Sequence, residues 1–283
     1  MEESKPNVDL SKKYKILTEN QINFFRDNGY LCPFEGISQE DASVLCHDLA
    51  EYEKTHGHNA TEIITKSHLL FPRAFVYTRR NAILDAVEDL IGPDILIFSS
   101  RFWIKPGSDG SYVSWHQDSA YFGLEPNELV TVWLALTEST IENGCLRVIP
   151  RTHLGQTYSH DETPDERNLL ARSQSIQNID DSNAVDLELN AGQFSIHHER
   201  IVHGSLPNHT DSPRIGLGLF CMATSTRSTL DRRFADLARG IDTYQHWDHD
   251  PTPDTHKPDI VAAHVEAAGN RYVDPNFAQE ASQ

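Results

Sequence analysis

The sequence predicts a mainly β protein, a sandwich or barrel with α-helices before and after it. From Pro93 onward, short runs rich in β-branched and aromatic residues alternate with Gly, Pro, Asn and Asp. Several short strands at such intervals are typical of β-sandwiches and barrels. Before Pro93 the apolar residues recur instead at the spacing of amphipathic helices. The N-terminal helices are therefore expected to flank a β core.

Three helices are expected ahead of the strands. The first covers residues 18–28, where Thr18 begins a capping box and Gly29 ends the helix. The second covers residues 38–54, because its apolar side chains recur at helical spacing. The third covers residues 81–91 and ends before a Gly-Pro pair, which cannot continue a helix.

Seven runs have the composition of strands, and they share bounding turn residues. They are residues 95–104, 112–116, 129–136, 145–149, 184–189, 193–196 and 215–223. Residues 155–183 are polar, and we interpret them as a partly helical insertion between strands. After residue 225 we expect a helix-like segment over 230–239, an irregular His- and Pro-rich stretch, and a last helix over 259–268.

No linker divides the chain, so one domain with appendages is expected. The predicted division is a tail at residues 1–16, a core domain at 17–225, and a C-terminal helical and irregular extension at 226–283, packed on the same domain. The turn at residues 142–145 contains Asn-Gly, a hairpin signal that we interpret as structural.

Charge and composition exclude several classes of partner. The net charge of −18 argues against binding nucleic acid or an anionic membrane surface, because both repel an acidic protein. No apolar run approaches the ~20 residues that span a bilayer, and no signal peptide is visible. The four cysteines form no CxxC pair, which favours free thiols. We expect a cytoplasmic protein with a small-molecule substrate; the oligomeric state stays open.

The motif that carries chemistry is His116-Gln117-Asp118. Residues i and i+2 of a strand point to the same face, so this imidazole and this carboxylate can reach one ion. A second histidine from another strand would complete a facial triad for Fe(II), with open positions for co-substrate and dioxygen. The motif alone occurs in many proteins by chance.

Three histidines compete for the role of distal ligand: His197, His198 and His203. His203 is favoured because it precedes Gly-Ser and is followed eleven residues later by Arg214. A guanidinium binds a carboxylate in a bidentate pair, which is what the far end of 2-oxoglutarate requires. One of the other two histidines could still face the pocket.

Four stretches resemble the phytanoyl-CoA dioxygenase (PhyH) family of iron- and 2-oxoglutarate-dependent oxygenases. They are LTENQINFFRDNGYL, WIKPGSDGSYVSWHQDSAYFG, VTVWLALTESTIENGCLRVIPRTHLG and HGSLPNHTDSPR. Together they cover roughly residues 17–223, and they occur in the family's order. The resemblance implies a double-stranded β-helix core of the jelly-roll or cupin-like kind, with flanking α-helices.

The resemblance also implies the roles of individual residues. It places the catalytic metal ligands at His116, Asp118 and His203, and the 2-oxoglutarate contacts at Arg214, Ser205, Gln117, Trp133 and Lys66. The cofactors implied are Fe(II), 2-oxoglutarate and O2, with ascorbate as a stimulant. Because halogenating relatives have a small residue where this chain has Asp118, hydroxylation is favoured.

The expected reaction is hydroxylation of an unactivated C–H bond of a small, polar metabolite, with release of succinate and CO2. The alternatives are a metal-binding cupin-type barrel without oxidative turnover, acting as an isomerase or hydrolase, and a hydroxylase of an acyl thioester. A non-enzymatic barrel is a further alternative. Residues that could line the substrate cavity are Arg101, Trp103, Tyr121, Phe122, Arg151 and His153. The cluster of His246, Asp248 and His249 is interpreted as a solvated loop.

Overall fold

The computed structural model describes residues 14–126, 128–254 and 256–272. Its helices are α1 (Glu19–Asn28), α2 (Gln39–His56), α3 (Pro72–Tyr77), α4 (Asn81–Ile91), α5 (Ser119–Phe122) and α6 (Pro258–Tyr272). The first seven strands are β1 (Tyr30–Glu35), β2 (Ile95–Lys105), β3 (Val113–His116), β4 (Leu124–Glu125), β5 (Val130–Ala135), β6 (Leu146–Ile149) and β7 (Val185–Leu187). The others are β8 (Gln193–His198), β9 (Val202–Ser205), β10 (Arg214–Ala223), β11 (Arg227–Ser228), β12 (Phe234–Arg239) and β13 (Asp248–His249).

The predicted N-terminal helices begin and end at the signals in the sequence. Thr18 and Gln21 form the expected capping box of α1, and Gly29 ends the helix with a φ of 84°. At the start of α2, the hydroxyl of Ser38 accepts from the backbone N–H of Asp41. Both caps satisfy backbone groups that a helix end otherwise leaves open.

The strands form two main sheets in a jelly-roll core, which confirms the predicted fold. The large sheet has the order β1-β8-β5-β10-β2-β12-β13, and the small sheet has the order β3-β9-β6-β7. Apolar side chains of β5 pack against those of β6 and β7, so the two sheets face each other. The space between them contains the candidate site.

The opposite face of the large sheet is covered by the N-terminal helices. Leu45 of α2 and Ile83 of α4 belong to one buried cluster with Val132 of β5 and Leu217 of β10. This burial explains the continuous apolar run of β5, because alternate residues face the helices and the interior of the jelly roll.

The predicted helix over residues 230–239 was wrong, because residues 234–239 form β12. The sequence Phe-Ala-Asp-Leu-Ala-Arg contains good helix formers, but tertiary contacts override this weak local preference. β12 pairs with the open edge of β2. The carboxylate of Asp236 also accepts hydrogen bonds from His68 and Arg79.

Three further differences concern short elements. Residues 155–183, predicted to be partly helical, contain no helix. The carboxylates of Asp161 and Asp165 accept hydrogen bonds from backbone N–H groups two residues further along. Turns of this kind compete with helix formation. Strand β1 was not expected; it contains Pro33, which an edge strand tolerates. The short helix α3 was not expected either.

The segment after residue 225 is joined to the core by β12 and α6. Val261 and Val265 of α6 pack against Leu69 in a small buried cluster. The domain boundaries at residues 16 and 225 stay predictions, and most of the predicted tail lies outside the described residues. Within the described ranges, no helix is long and apolar enough to cross a membrane.

Candidate active site

Two neighbouring strands of the small sheet position the candidate metal ligands. β3 and β9 are antiparallel, and His116 pairs directly with His203 in their register. Side chains of directly paired residues lie on the same face of a sheet, and the two ring centroids are 4.1 Å apart. Asp118 follows His116 by two residues and directly precedes α5.

These three side chains converge on a point that one ion could occupy. Nε2 of His116 lies 3.4 Å from Oδ1 of Asp118, and Nε2 of His203 lies 3.9 Å from Oδ2 of Asp118. One ligating atom from each residue lies within 4.8 Å of the other two. In the part of the chain that the structure describes, no other group of His, Cys, Asp and Glu side chains has this arrangement.

Backbone carbonyls orient both imidazoles. Nδ1 of His116 lies 2.9 Å from the carbonyl oxygen of Ser114, and Nδ1 of His203 lies 3.0 Å from that of Ile201. A carbonyl oxygen only accepts, so each Nδ1 carries the proton and each Nε2 presents a lone pair toward Asp118. The donor set is therefore two neutral nitrogens and one carboxylate, which suits Fe(II).

The electrostatics of the triad agree with that donor set. Burial alone would raise the pKa of Asp118, but His203 and His116 lower it to about 2. Burial lowers the pKa of His203 well below its ordinary value. The carboxylate of Asp118 also accepts a hydrogen bond of 3.3 Å from the hydroxyl of Thr131. The carboxylate is therefore ionised and the His203 imidazole neutral near pH 7.

A small cavity of about 30 Å³ lies between the sheets beside the triad, and Arg214, Ser205 and Trp133 all line it. These are three of the five residues expected to contact 2-oxoglutarate. Two glycines of β10 make room for the indole rings that lie here. A Cβ at Gly216 would overlap the ring of Trp133, and a Cβ at Gly218 would lie 2.9 Å from Nε1 of Trp103.

Arg214 is buried, and it has no acidic partner among the described residues. Its side chain donates to the carbonyl oxygen of Gly144 at 2.9 Å and of Trp103 at 3.4 Å, while its Nε–H has no hydrogen-bond acceptor among the described residues. No described carboxylate forms an ion pair with it. Burial lowers the pKa of Arg214 to about 10, so the guanidinium is still charged at neutral pH. A buried cation in this state is a binding site for an anion.

A second buried basic side chain lies beside Arg214. Lys105 is its direct cross-strand partner, and the side-chain nitrogen of Lys105 donates to the carbonyl oxygens of Gly144 and Leu206. Burial and the neighbouring guanidinium lower the pKa of Lys105 to about 6, so most of it is a neutral amine at pH 7. The Asn-Gly turn, interpreted as structural from sequence, thus also supplies a carbonyl oxygen that accepts hydrogen bonds from both side chains.

The structure places Gln117 and Lys66 away from the small cavity. The Gln117 side chain donates to the carbonyl oxygen of Arg200 at 2.6 Å and accepts from the backbone N–H of Tyr158 at 2.8 Å. The Lys66 ammonium lies 2.6 Å from Oδ2 of Asp250. Neither contact could be anticipated, because the partners lie far away in sequence.

The two histidines before the distal position face opposite sides of β8. His197 lines the small cavity, and its ring centroid lies 4.5 Å from that of His203. His198 faces the N-terminal helices, near Phe25 and His153. Alternation along a strand separates them, but the sequence did not show which one faces inward.

A larger chamber of about 210 Å³ shares Trp103, Asp118 and Phe220 with the small cavity. Arg101 and Phe122, both expected near the substrate, also line it. The insertion contributes part of the chamber wall, and so does α6; sequence reasoning missed both contributions. The described residues that line the chamber on those segments are Leu170, Ala171, Gln174, His264, Ala267, Ala268 and Arg271.

The remaining predicted residues lie elsewhere. Nε2 of His153 lies 3.0 Å from the carbonyl oxygen of Arg26, a helix contact outside both cavities. Tyr121 packs against Phe122 in an apolar cluster and against His160. In the tail cluster, His249 pairs with Asp242 at 3.2 Å, and His246 is exposed. Arg151 is exposed and lines neither cavity.

The chain is similar in sequence to known oxygenases. A "Probable alpha-ketoglutarate-dependent hypophosphite dioxygenase" from Stutzerimonas stutzeri is 29% identical over 164 residues, which are 56% of this chain and 57% of that protein. The peroxisomal phytanoyl-CoA dioxygenase of Bos taurus is 34% identical over 232 residues, covering 72% of this chain and 68% of the bovine enzyme. The match thus spans little more than half of the first relative.

A solved structure extends the similarity over almost the whole chain. The non-heme monooxygenase ThoJ in its apo form superposes with a TM-score of 0.79 at 29% identity, covering 92% of this chain and 98% of that one. The family model described as Phytanoyl-CoA dioxygenase (PhyH) matches residues 25–216, which is more than half of the 283 residues. The chain therefore belongs to the phytanoyl-CoA dioxygenase (PhyH) family of iron- and 2-oxoglutarate-dependent oxygenases.

Proposed function

We propose that this protein is an Fe(II)- and 2-oxoglutarate-dependent oxygenase that hydroxylates an unactivated C–H bond of a small, polar metabolite, releasing succinate and CO2. The observation that carries the proposal is the position of a buried His-His-Asp triad beside a buried arginine that has no acidic partner in the described ranges. The triad is the donor set for Fe(II), and the arginine would bind one carboxylate of a dicarboxylic co-substrate.

The chain's own side chains would hold both groups. Nε2 of His116, Nε2 of His203 and the carboxylate of Asp118 would bind the metal from one side and leave the other side open. Once bound, the iron supplies the activation of dioxygen, which no amino-acid side chain can perform. The buried position of the triad keeps bulk water away from the reaction.

Arg214 and Ser205 would bind the far carboxylate of 2-oxoglutarate. The Nε–H of Arg214 has no acceptor among the described residues, so an anion in the small cavity would complete its hydrogen bonds. The guanidinium carbon lies 5.2 Å from the ring centroid of Trp133, whose face fixes the orientation of the cation. The co-substrate would thereby lie beside the metal ligands.

The substrate would occupy the larger chamber, which reaches the triad at Asp118. Its volume of about 210 Å³ lies below the ~300 Å³ at which pockets for drug-sized ligands begin. This size favours a small metabolite over a whole acyl thioester. The two relatives are named for very different substrates, hypophosphite and phytanoyl-CoA, so neither name transfers directly. Asp118 also fills the position that a halide would need, which favours hydroxylation.

The alternative of a metal-binding barrel without oxidative turnover is disfavoured by Arg214. A hydrolase or isomerase with the same triad would have no use for a buried guanidinium that lacks an acidic partner among the described residues beside the metal.

The free cysteines and the net charge of −18 support a cytoplasmic location, and a small-molecule partner instead of nucleic acid.

The test is a screen of small metabolites that follows succinate formation in air with Fe(II) and 2-oxoglutarate. We expect one class of metabolite to stimulate succinate formation and to gain one oxygen atom, detected by mass spectrometry. His116→Ala should abolish this turnover, whereas the exposed control His246→Ala should retain it. Full activity of His116→Ala after chelation and iron reconstitution would refute the assignment.

A further inference from the structure

His197 lines the small cavity without belonging to the metal triad. The residue is 1% exposed, and neither its Nδ1 nor its Nε2 has a hydrogen-bond partner among the described residues. In contrast, Nδ1 of His116 and Nδ1 of His203 each lie within hydrogen-bond distance of a backbone carbonyl oxygen. His197 is therefore a buried ring whose two polar atoms are left unpaired by the described part of the chain.

The unpaired ring carries at least one hydrogen-bond donor in either of its protonation states. A neutral imidazole has one N–H group and one acceptor nitrogen, and a protonated imidazole has two N–H groups. A buried N–H without an acceptor destabilises the folded protein, because the group has lost its hydrogen bond to water. A ligand with an acceptor atom at this point would recover that free energy.

The His197 ring lies at the metal end of the small cavity. Its centroid is 4.5 Å from that of His203. His197 is also the direct cross-strand partner of Thr131 on β5, whose hydroxyl donates to the carboxylate of the triad. Arg214 lies further along, because its guanidinium packs against Trp133, two residues beyond Thr131 on the same strand. The imidazole and the guanidinium thus lie near different ends of one cavity.

The position of the ring also indicates which ligand can reach it. His197 lines the small cavity but is not among the described residues that line the larger chamber. A co-substrate in the small cavity can therefore contact the ring more directly than a substrate in the chamber. The proposed co-substrate, 2-oxoglutarate, has oxygen acceptors at both ends and a keto oxygen between them. Its far carboxylate is assigned to Arg214 and Ser205, which leaves the near carboxylate at the metal end.

We propose that His197 donates a hydrogen bond to the near carboxylate of 2-oxoglutarate, the one that would lie beside the metal. The proposal rests on the proposed function and adds a co-substrate-binding residue to it. Two donors of the protein would then bind the two ends of the co-substrate, His197 the near end and Arg214 the far end. His197 would not be a metal ligand, because it is not part of the described group whose ligating atoms lie within 4.8 Å of one another.

The test measures the Kd for 2-oxoglutarate on the Fe(II)-loaded protein without oxygen, by calorimetry and by the visible absorption band of the complex. His197→Phe keeps a ring of similar size but has no N–H group, so its Kd should rise about tenfold or more. His197→Gln keeps a donor and should stay within about threefold of the wild type. His198→Phe is the matched control, because His198 faces the N-terminal helices, and it should bind 2-oxoglutarate as the wild type does.

Thermal unfolding separates this role from a structural one. In the ligand-free protein, His197→Phe replaces unpaired polar atoms with an apolar ring, so its melting temperature should not fall below that of the wild type. At equal concentration, 2-oxoglutarate should raise the melting temperature of the variant less than that of the wild type. Both His197 variants should bind Fe(II) as tightly as the wild type. Loss of iron binding in His197→Phe would make the residue a metal ligand and overturn the proposal.

Pyruvate identifies the end of the co-substrate that His197 contacts, because it has the 2-oxo acid group but no far carboxylate. His197→Phe should raise the Kd for pyruvate by about the same factor as the Kd for 2-oxoglutarate, since the lost hydrogen bond is common to both ligands. Arg214→Met should raise the Kd for 2-oxoglutarate alone. The absence of a pyruvate complex in the wild type, or a pyruvate Kd that His197→Phe leaves unchanged, would overturn the assignment to the near carboxylate.

The outcomes also distinguish this proposal from the proposed function. If the wild type develops the absorption band and the Kd for 2-oxoglutarate is unchanged in His197→Phe, the role of His197 is refuted and the oxygenase assignment stands. If the wild type develops no band with Fe(II) and 2-oxoglutarate, the proposed function fails, and the role of His197 fails with it.

Discussion

Replacing Arg214 with methionine should have opposite effects on co-substrate binding and on the stability of the ligand-free protein. Methionine fills a similar volume but has no charge. In the ligand-free state, burial lowers the pKa of Arg214 from 12.5 to about 10, which corresponds to about 3 kcal/mol of disfavoured charge. Removal of the guanidinium leaves the carbonyl oxygen of Trp103 without that donor, whereas the carbonyl oxygen of Gly144 keeps its hydrogen bond from the side-chain nitrogen of Lys105. We therefore expect ligand-free Arg214→Met to be no less stable than the wild type.

Binding of 2-oxoglutarate should suffer severely in the same variant. Removing one partner of a buried, hydrogen-bonded charge pair costs about 2–5 kcal/mol, or roughly 30-fold to several thousand-fold in Kd. The wild type should gain about 2.7 kcal/mol of stability at a concentration of 100 times its Kd, and the variant should gain less than about 1 kcal/mol at that concentration.

Thermal unfolding with and without 2-oxoglutarate, in the presence of Fe(II) and absence of oxygen, measures both effects in one experiment. The exposed Arg232→Met variant is the matched control, and it should show the wild-type response to 2-oxoglutarate. An Arg214→Met protein that melts several degrees lower without ligand, yet is stabilised by 2-oxoglutarate as the wild type is, would refute the role assigned to Arg214.

Two further predictions concern packing and pH. Gly216→Ala should lower the free energy of unfolding by about 1–3 kcal/mol, because the added Cβ would overlap the Trp133 ring. The control Gly155→Ala should be almost neutral, because the nearest atom to its added Cβ is 3.4 Å away. Equal urea midpoints for the two variants would contradict this. Burial raises the pKa of Glu199 from its ordinary value of 4.5 to about 8. The metal-free wild type should therefore lose stability as the pH rises from about 4.5 to about 8, and level off above that. Glu199→Gln should be more stable than the wild type by a few kcal/mol at pH ~9 and similar to it at pH ~5. If urea unfolding showed the same pH dependence in the variant and the wild type, Glu199 would be excluded as the cause.

Much of the fold and the metal triad could be predicted because they depend on local rules. The period of two along a strand places His116 and Asp118 on one face, and capping residues delimit the first two helices. The helical interpretation of residues 230–239 failed because helix propensity is weaker than pairing with the open edge of β2. The orientation of Gln117 and Lys66 depends on partners distant in sequence, and the inward position of His197 depends on how β8 packs between the helices and the small sheet, so no local pattern could reveal them. The wall formed by α6 depends on tertiary packing in the same way.

Anaerobic titration of the purified protein with Fe(II) and 2-oxoglutarate tests the central assignment most directly. We predict that the wild type binds one iron per chain and develops the visible absorption band of a 2-oxoglutarate complex. The exposed control His209→Ala should do the same, whereas His203→Ala should lose the band while remaining folded. A His203→Ala protein that binds iron and develops the band as tightly as the wild type would contradict the triad and the oxygenase function built on it.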